Sequence, residues 1–443
     1  MTDFNSPSPN RCLLILLDGL GDRSYEELNF QTPLQAAHTP NLDQLAKTGA
    51  NGLFHATFLG EALPSENAHF VMFGYDLSDF PGRGVFEALG ENVQLAADDT
   101  ALLSHFVSLD IAEDTFILKD GKPELTANEI ASFSGAIAEY TAQKIQIEFI
   151  PTGGIRGILK LQHQTSPAIT DTDPFFEEQP LIEPLPLEGY ESHQPTVATA
   201  AALKEYLVWC HQQLINHPLN DVRRRQNRSL INGLVTQRAG QLKPILPFGQ
   251  KNGIRGLSIS SGPMYRGLAS YVGLDFLEGH NSDNPEIDLK QRLAMAETVW
   301  NEYDFIHIHS KWPDKAAHTK KPGFKKQVIE ALDKAVGSSL VPFVQDPNTL
   351  IVITADHSTP SGGPLVHSGE PVPVIFHGTG MRRDQVSSYD EINAASGSLG
   401  LMRGKEFMLT LLNAINRAKL RGIMQTPHDC PVWTTDYQPF RRP

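Results

Sequence analysis

Seven side chains spread along the sequence have the types and positions expected of a metal-dependent active site. They are two histidine-aspartate sets and one serine: Asp18, Ser65, Asp314, His318, Asp356, His357 and His367. Aspartate with neutral histidine suits a divalent ion such as Mn, Zn or Co, and suits Mg where water completes the shell. Any one of these residues alone is more simply explained as a helix cap or a polar loop residue. Their arrangement in the sequence favours a metal site, because it combines an adjacent Asp-His pair, an Asp-x-x-x-His pair and one further His.

Short apolar runs, typical of buried β-strands, precede most of these candidate ligands. Three runs stand before them: residues 13–17 before Asp18, residues 305–308 before Asp314 and His318, and residues 350–354 before Asp356 and His357. In open α/β sheets, ligands bind beyond the carboxyl ends of the strands. The sequence therefore predicts that these side chains meet in one crevice.

Ser65 is the candidate nucleophile of this site. In isolation it is more simply explained as a helix N-cap, but a helix N-terminus also stabilises an anion or an ionising hydroxyl. A serine hydroxyl is a weak nucleophile, and coordination to a metal lowers its pKa. Two ions about 3.5–4 Å apart can hold the attacking and leaving oxygens of an in-line phosphoryl displacement.

Length and composition indicate a soluble enzyme larger than one ordinary domain. The chain has 443 residues, of which 40% are hydrophobic and 20% charged, so we expect a large domain with an insertion or a second domain. The net charge of -14 argues against nucleic-acid and anionic-membrane partners. Three distant cysteines fit a reducing cytoplasm. No apolar run reaches about 18 residues, so we expect a cytoplasmic protein.

The pattern of predicted elements divides the chain into three segments. Residues 1–94 and 241–443 alternate between strands and helices, and we expect them to form one metal-binding core. Residues 95–240 read as β-α-β-β-α-β, the order of a ferredoxin-like unit inserted as a substrate-binding cap.

Individual elements of these segments are predicted from capping and breaking residues. In the insert, strands are expected over 104–109, 145–150, 156–161 and 229–236, with helices over 126–137 and 198–215. In the core, helices are expected to begin at Pro40, to end at Gly337, and to cover 405–419.

Several longer sequence motifs, spread over nearly the whole chain, resemble those of a known protein family. They include Leu17-Asp18-Gly19-Leu20-Gly21-Asp22-Arg23, Thr32-Pro33-Leu34-Gln35-Ala36-Ala37-His38-Thr39-Pro40-Asn41-Leu42-Asp43, Gly82-Arg83-Gly84-Val85-Phe86-Glu87-Ala88-Leu89-Gly90, Asp171-Thr172-Asp173-Pro174, Asp356-His357-Ser358-Thr359-Pro360 and His367-Ser368-Gly369-Glu370-Pro371-Val372-Pro373. Together they resemble the archaeal-type 2,3-bisphosphoglycerate-independent phosphoglycerate mutases of the alkaline phosphatase superfamily.

The resemblance implies a role for each candidate residue. Ser65 would be the phosphorylated nucleophile. Two divalent ions are implied, manganese first and Mg, Zn or Co as alternatives. One ion would be held by Asp18, Ser65, Asp356 and His357, and the other by Asp314, His318 and His367. A small phosphorylated substrate would be bound by three arginines, Arg156, Arg238 and Arg266. The oligomeric state is left open.

The resemblance also implies the fold and the activity. The expected fold class is α/β, with an alkaline phosphatase-like core sheet, helices on both of its faces and an inserted ferredoxin-like α+β cap. The expected activity is the interconversion of 2- and 3-phosphoglycerate.

Departures from the family pattern leave an alternative activity open. Residues 116–123 lack the arginine-rich string that the family usually carries there, and Leu103 and His105 replace an arginine and an asparagine. A phosphomonoester or phosphonate hydrolase on the same core, with water as acceptor, is therefore the alternative. A metal-bound regulatory protein ranks last, because every expected core ligand is present.

Overall fold

The computed structural model describes residues 8–427, 430–433 and 437–442. The chain forms two units, one made of Met1–Phe80 with Ile245–Pro443 and the other of Pro81–Pro244. The second unit is thus inserted into the first, beginning before residue 95 and ending after residue 240. The predicted segment boundaries at 94 and 240 stay a prediction.

The described residues form fourteen β-strands. In chain order they are β1 Arg11–Leu17, β2 Ala50–His55, β3 Thr100–Ala112, β4 Thr115–Asp120, β5 Glu139–Ala142, β6 Ile145–Gly153, β7 Arg156–Gln162, β8 Gly233–Gln241, β9 Gly256–Ser260, β10 Asp275–Glu278, β11 Phe305–Ser310, β12 Thr349–Thr354, β13 Val372–His377 and β14 Gly400–Arg403.

Fifteen α-helices connect and cover these strands in the described part of the chain. They are α1 Pro33–Ala36, α2 Pro40–Thr48, α3 Ser65–Met72, α4 Arg83–Gly90, α5 Ala127–Ala136, α6 Gln194–Ile215, α7 Pro218–Arg225, α8 Phe248–Asn252, α9 Pro263–Val272, α10 Pro285–Val299, α11 Trp312–His318, α12 Pro322–Ser339, α13 Val341–Gln345, α14 Glu391–Ala394 and α15 Glu406–Ala414. Within the described ranges, none of these helices combines the length and apolar character needed to cross a membrane.

The first unit is built on an eight-stranded sheet in the order β10-β9-β11-β1-β12-β13-β2-β14. The five strands from β10 to β12 run parallel, whereas β13 runs antiparallel to both of its neighbours. Strands β1, β11 and β12 are buried over nearly every residue, as expected of parallel strands that are covered on both faces. Their carboxyl ends, together with the amino end of β13, therefore lie along one edge of the sheet. The predicted α/β fold class is confirmed.

The second unit is built on a six-stranded antiparallel sheet around the long strand β3. The first part of β3 lies between β7 and β8, its last part pairs with β4, and β6 lies between β7 and β5. The predicted order β-α-β-β-α-β is present as β3, α5, β6, β7, α6 and β8, with β4, β5 and α7 added. Phe106, Phe149 and Tyr206 belong to the hydrophobic core of this unit.

Helix boundaries follow the predicted capping residues at several places. Helix α2 begins at Pro40 and has Gly49 as its C-cap, and α5 begins after the predicted capping box of Thr126 and Glu129. Other boundaries differ from the prediction, and the structure gives a physical reason for three of them.

Strand β8 begins at Gly233 rather than at residue 229. The Asn232 side chain accepts from the Leu109 amide at 2.7 Å and donates to the Leu109 carbonyl at 2.8 Å. Because this side chain takes the ladder partners of β3, regular pairing starts only at the next residue.

Helix α12 does not end at Gly337, and α15 ends earlier than predicted. A Cβ atom on Gly337 would lie 2.3 Å from the Asn41 Oδ1, so this glycine allows close packing within a continuing helix. The last helix stops at Ala414, and Asn416 two residues later has a left-handed φ of 59°. An asparagine in this conformation is a common end of a helix.

Candidate active site

The seven predicted site residues all lie in the first unit, at the sheet edge formed by the carboxyl ends of its parallel strands. Asp18 follows β1, Asp314 lies in α11 after β11, and Asp356 follows β12. His367 comes before β13, whose amino end shares this edge because the strand runs antiparallel. The topology therefore explains how residues far apart in sequence meet.

The seven residues form two adjacent groups of potential ligands. The ligand atoms of Asp18, Asp356 and His357 lie within 4.8 Å of one another, and so do those of a second set made of Asp314, His318 and His367. In the first group the His357 Nε2 is 3.5 Å from the Asp18 Oδ1 and 3.3 Å from the Asp356 Oδ2. All three side chains of this group are buried.

The Ser65 hydroxyl belongs to the first group. Its Oγ lies 3.0 Å from the His357 Nε2. Ser65 is the first residue of α3 and Pro64 is the N-cap, so the hydroxyl is not used as a cap. The side chain of Ser65 is therefore available for chemistry at the helix N-terminus, where an anion is stabilised.

The two carboxylates of the first group each leave one oxygen for a cation. The Asp18 Oδ2 accepts hydrogen bonds from the Tyr265 hydroxyl at 3.0 Å and the His309 Nε2 at 2.9 Å. The Asp356 Oδ1 accepts from the backbone amides of Gly19 and His357, both at 3.1 Å.

The remaining oxygens, the Asp18 Oδ1 and the Asp356 Oδ2, are buried and accept no hydrogen bond from any described residue. Unpaired carboxylate oxygens are costly to bury unless a cation balances them. This group therefore fits a divalent metal ion.

The second group is arranged around Asp314. The Asp314 Oδ1 lies 3.1 Å from the His318 Nε2 and 3.5 Å from the His367 Nε2. Asp314 and His318 are four residues apart and so lie on the same face of α11. The His367 Nδ1 donates to the Leu63 carbonyl at 2.7 Å, which leaves its Nε2 as the ligand atom. This group also fits a divalent ion.

The ionisation of these groups suits metal binding. Burial alone would raise the pKa of Asp314, but its interactions with His318 and His367 outweigh it and hold that pKa below the usual range. The pKa of Asp356 is likewise lowered, since its electrostatic interactions with His357 and His69 outweigh its burial. Burial lowers the pKa of His357. Asp314 and Asp356 are thus ionised and His357 is neutral near neutral pH.

Thr359 connects the two groups. Its hydroxyl donates to the Asp314 Oδ1 at 3.0 Å and lies 3.1 Å from the His357 Nδ1. Gly19 makes this contact possible, because its φ is +64° and a Cβ there would lie 2.4 Å from the Thr359 Oγ1.

The three predicted arginines lie in different units. Arg266 is in α9 of the first unit, where its Nη2 is 2.6 Å from the Glu278 Oε2. Arg156 begins β7 of the second unit and is opposite His105 in the ladder with β3. Arg238 is in β8 of the same unit, and its backbone amide donates to the Asp171 Oδ1 at 2.6 Å. Their role in substrate binding stays a prediction.

Three polar side chains beside the candidate metal-binding carboxylates were not predicted from the sequence. Tyr265 and His309 bond to Asp18, and the His69 Nδ1 lies 3.4 Å from the Asp356 Oδ2. One signal was available for His309, because β11 is fully buried and yet contains two histidines two residues apart. Polar residues in a buried strand require partners.

Comparison with known proteins identifies the family. A family model described as the metalloenzyme superfamily matches residues 10–414. The "2,3-bisphosphoglycerate-independent phosphoglycerate mutase 2" of Methanocaldococcus jannaschii is 36% identical over 421 residues, which cover 93% of this chain and 95% of that protein.

Two solved structures share the fold. A protein of Pyrococcus horikoshii has a TM-score of 0.76 and 29% identity over 94% of this chain and 100% of its own. A "cofactor-independent phosphoglycerate mutase" of Thermoplasma acidophilum has a TM-score of 0.63 and 27% identity over 92% of this chain and 100% of its own. The chain therefore belongs to the family of 2,3-bisphosphoglycerate-independent phosphoglycerate mutases, within the metalloenzyme superfamily.

Proposed function

We propose that this protein interconverts 2- and 3-phosphoglycerate through a phosphoserine at Ser65. The observation that carries the proposal is the Ser65 hydroxyl 3.0 Å from the His357 Nε2, because His357 forms one group of potential metal ligands with Asp18 and Asp356 and a second aspartate-histidine group is also present. Relatives that match over nearly their whole length are named phosphoglycerate mutases.

In the proposed site each group of side chains holds one divalent ion. The first ion would be held by Asp18, Ser65, Asp356 and His357. The second ion would be held by Asp314, His318 and His367. Manganese is the first choice for both, and Mg, Zn or Co are alternatives. When bound, the ions lower the pKa of the serine hydroxyl and neutralise charge on the phosphoryl group.

The reaction transfers one phosphoryl group twice. In the first step the Ser65 Oγ forms a bond to phosphorus, the bond from phosphorus to the substrate oxygen breaks, and the serine proton ends on that oxygen. In the second step the other hydroxyl of the retained glycerate attacks the phosphoserine, and its proton returns to Ser65. Water is neither consumed nor released. The Ser65–His357 contact marks two ligands of one ion, so it does not require His357 to act as a base.

Arginines would hold the anionic groups of the retained substrate. Arg156, Arg238 and Arg266 are the candidates, because a guanidinium matches the two oxygens of a carboxylate or phosphate. For Arg266 this requires exchange of its partner Glu278 for substrate.

The hydrolase alternative differs only in its acceptor. Water would attack the phosphoserine in place of the second hydroxyl, and inorganic phosphate would be released. The names of the relatives do not favour this alternative.

A coupled mutase assay and a phosphate-release assay on the same metal-loaded sample test the proposal. Ser65→Ala should abolish phosphoserine, detected by mass spectrometry, and lower isomerisation by orders of magnitude, while thorough chelation should stop turnover until a divalent ion is returned. Ser338→Ala, a change at an exposed serine of α12, is the control. A phosphoenzyme that still forms in Ser65→Ala, or turnover that survives chelation, contradicts the proposal.

A further inference from the structure

A separate cavity of about 140 Å³ lies in the first unit, at the same sheet edge as the candidate metal groups. Its lining comes from the segments that follow β9 and β11, with α10 contributing from the side. Ser261, Arg292, Lys311, Trp312 and Lys315 line it. The volume suits one small polar group rather than a large ligand.

Arg292 forms a rigid cationic wall of this cavity. The side chain is buried, and its Nε and Nη2 donate to the two carboxylate oxygens of Asp288 at 3.0 and 3.1 Å. Its Nη2 also donates to the Ser261 Oγ at 2.8 Å. The Nη1 is buried and bonds to no described residue. The guanidinium is therefore held in place before any ligand arrives.

Two further cations line the cavity without acidic partners. Lys311 and Lys315 have no carboxylate within 4.0 Å among the described residues, and their ammonium groups lie over the rings of Tyr265 and Trp312. The positive charge of Arg292 is balanced by Asp288, so the two lysines leave the cavity with a surplus of positive charge. The whole chain has a net charge of -14, so this surplus is local.

His309 joins the cavity to the candidate metal site. Its ring lines the cavity, and its Nε2 donates to Asp18 at 2.9 Å. A group bound in the cavity would thus be separated from a metal-binding carboxylate by one imidazole ring.

We propose that this cavity binds a small oxyanion of the substrate, a carboxylate or a phosphate group. Ammonium and guanidinium groups in a partly enclosed site form charge-assisted hydrogen bonds to such oxygens. The Trp312 ring offers an apolar surface to the carbon chain that carries the oxyanion. The assignment rests on the proposed function for the identity of the substrate, whereas the charge and shape of the cavity do not. The cavity would thus give the first unit a contact with the substrate in addition to those of the three arginines that match the family pattern.

Calorimetry on the full-length, metal-loaded protein tests the oxyanion site with two probes. D-Glycerate carries the carboxylate without a phosphate, and glycerol 3-phosphate carries the phosphate without a carboxylate. Lys311→Met and Lys315→Met remove one cation each from exposed positions, so neither is expected to disturb folding. Lys47→Met makes the same change at an exposed position of α2 and is the control. Each cavity variant should raise the dissociation constant of one probe roughly threefold to tenfold.

The outcomes distinguish the site from the activity. Weaker D-glycerate binding assigns the cavity to the carboxylate, and weaker glycerol 3-phosphate binding assigns it to the phosphate. If both variants bind both probes as tightly as Lys47→Met, the proposal is overturned. Because calorimetry needs no turnover, weakened binding in a chain without isomerase activity would keep the oxyanion site and overturn the mutase. Isomerisation with unchanged binding would do the reverse.

Discussion

Asp18 shows how neighbouring side chains can orient a candidate metal ligand. Tyr265 and His309 both donate to one of its oxygens, so the carboxylate is held with the other oxygen toward His357. Partners of this kind orient metal ligands, and their loss typically lowers metal affinity by about 10–100-fold.

The first prediction concerns the hydroxyl of Tyr265. Tyr265→Phe should raise the dissociation constant for Mn²⁺ by about tenfold, because Asp18 loses one of its two positioning hydrogen bonds. The measurement is competition with a metal-binding dye, which does not depend on activity.

Tyr75→Phe is the matched control for this prediction. Tyr75 is also buried in the first unit, and its hydroxyl donates to the Leu246 carbonyl at 2.8 Å. Each change should lower stability by about 1 kcal/mol, but only Tyr265→Phe should alter metal affinity. Equal affinity in the two variants would show that Tyr265 has no positioning role.

At the residue scale, the sequence predicted those site residues whose chemical type marks them as candidate metal ligands or as a candidate nucleophile. Five of the seven candidates follow strand-like runs, Ser65 and His367 were added by residue type and by the family resemblance, and the structure brings all seven together. Tyr265 and His309 lie 247 and 291 positions from Asp18 in the chain. Their role follows from which side chains face each other in the folded sheet, and no spacing in the sequence encodes that.

At the scale of single elements, α5 of the second unit shows how one acidic residue ties a helix to its surroundings. Glu129 completes the capping box with Thr126, and its carboxylate also bonds to Arg223 at 2.7 Å and Arg228 at 3.1 Å. Burial acts to raise the pKa of Glu129, but these hydrogen bonds lower it to about 2.

Glu129→Gln should therefore destabilise the protein in a pH-dependent way. A carboxyl whose folded pKa is lowered stabilises the folded state above its ordinary pKa of about 4.3, and this contribution is lost as the pH falls toward 2. The variant should be less stable by about 1–2 kcal/mol at pH 7, and the difference should shrink below about pH 4.3. Urea unfolding of both proteins across this range measures it.

Glu124→Gln provides the control for the charge change itself. Glu124 is exposed and lies just before α5, so its replacement should leave stability nearly unchanged at every pH. A pH-independent loss in Glu129→Gln would assign the effect to the helix cap rather than to the ion pairs.

The same scale shows where element prediction succeeded and where it failed. Strands β1, β11 and β12 were predicted from apolar runs, and α2 and α5 from their capping residues, because these signals are local. The end of α12 was predicted wrongly, since Gly337 is required by the Asn41 side chain of another helix. The start of β8 was predicted wrongly because Asn232 bonds to β3. Both errors come from contacts between elements distant in the chain.

At the scale of the whole molecule, the candidate metal ligands and the candidate substrate-binding residues are divided between the two units. All candidate metal ligands lie in the first unit, and Arg156 and Arg238 lie in the second. The alternation of strand and helix patterns predicted an inserted segment. Strands β4 and β5, which extend the inserted sheet by pairing with β3 and β6, were not predicted, because short exposed strands carry a weak pattern.

The division leads to a prediction about Arg156. If the second unit holds the glycerate between the two transfers, Arg156→Ala should lower isomerisation by about tenfold to a hundredfold. The rate of phosphate release should fall less than the rate of isomerisation, or should rise. Water needs no arginine to position it for attack on the phosphoserine, and the glycerate leaves the site more often when Arg156 is absent. Both rates are measured on one sample by the coupled assay and by phosphate detection.

Arg225→Ala serves as the control within the same unit. Arg225 is an exposed arginine at the end of α7, and its loss should change neither rate. If Arg156→Ala also leaves both rates unchanged, Arg156 is a surface charge. If the native protein releases phosphate without isomerisation, the hydrolase alternative is correct.

The Thr359 hydroxyl has a consequence that reaches both candidate metal groups. It carries a single proton, which goes to the Asp314 Oδ1, so its oxygen must accept the Nδ1 proton of His357. The tautomer of a histidine in one group is thereby set by a carboxylate in the other. Because Thr359 bonds to a candidate ligand of each group, we expect a metal ion bound in one group to alter the hydrogen bonds available to the other. We therefore expect the metal affinities of the two groups to be thermodynamically linked, so that the affinity of each depends reciprocally on the state of its neighbour.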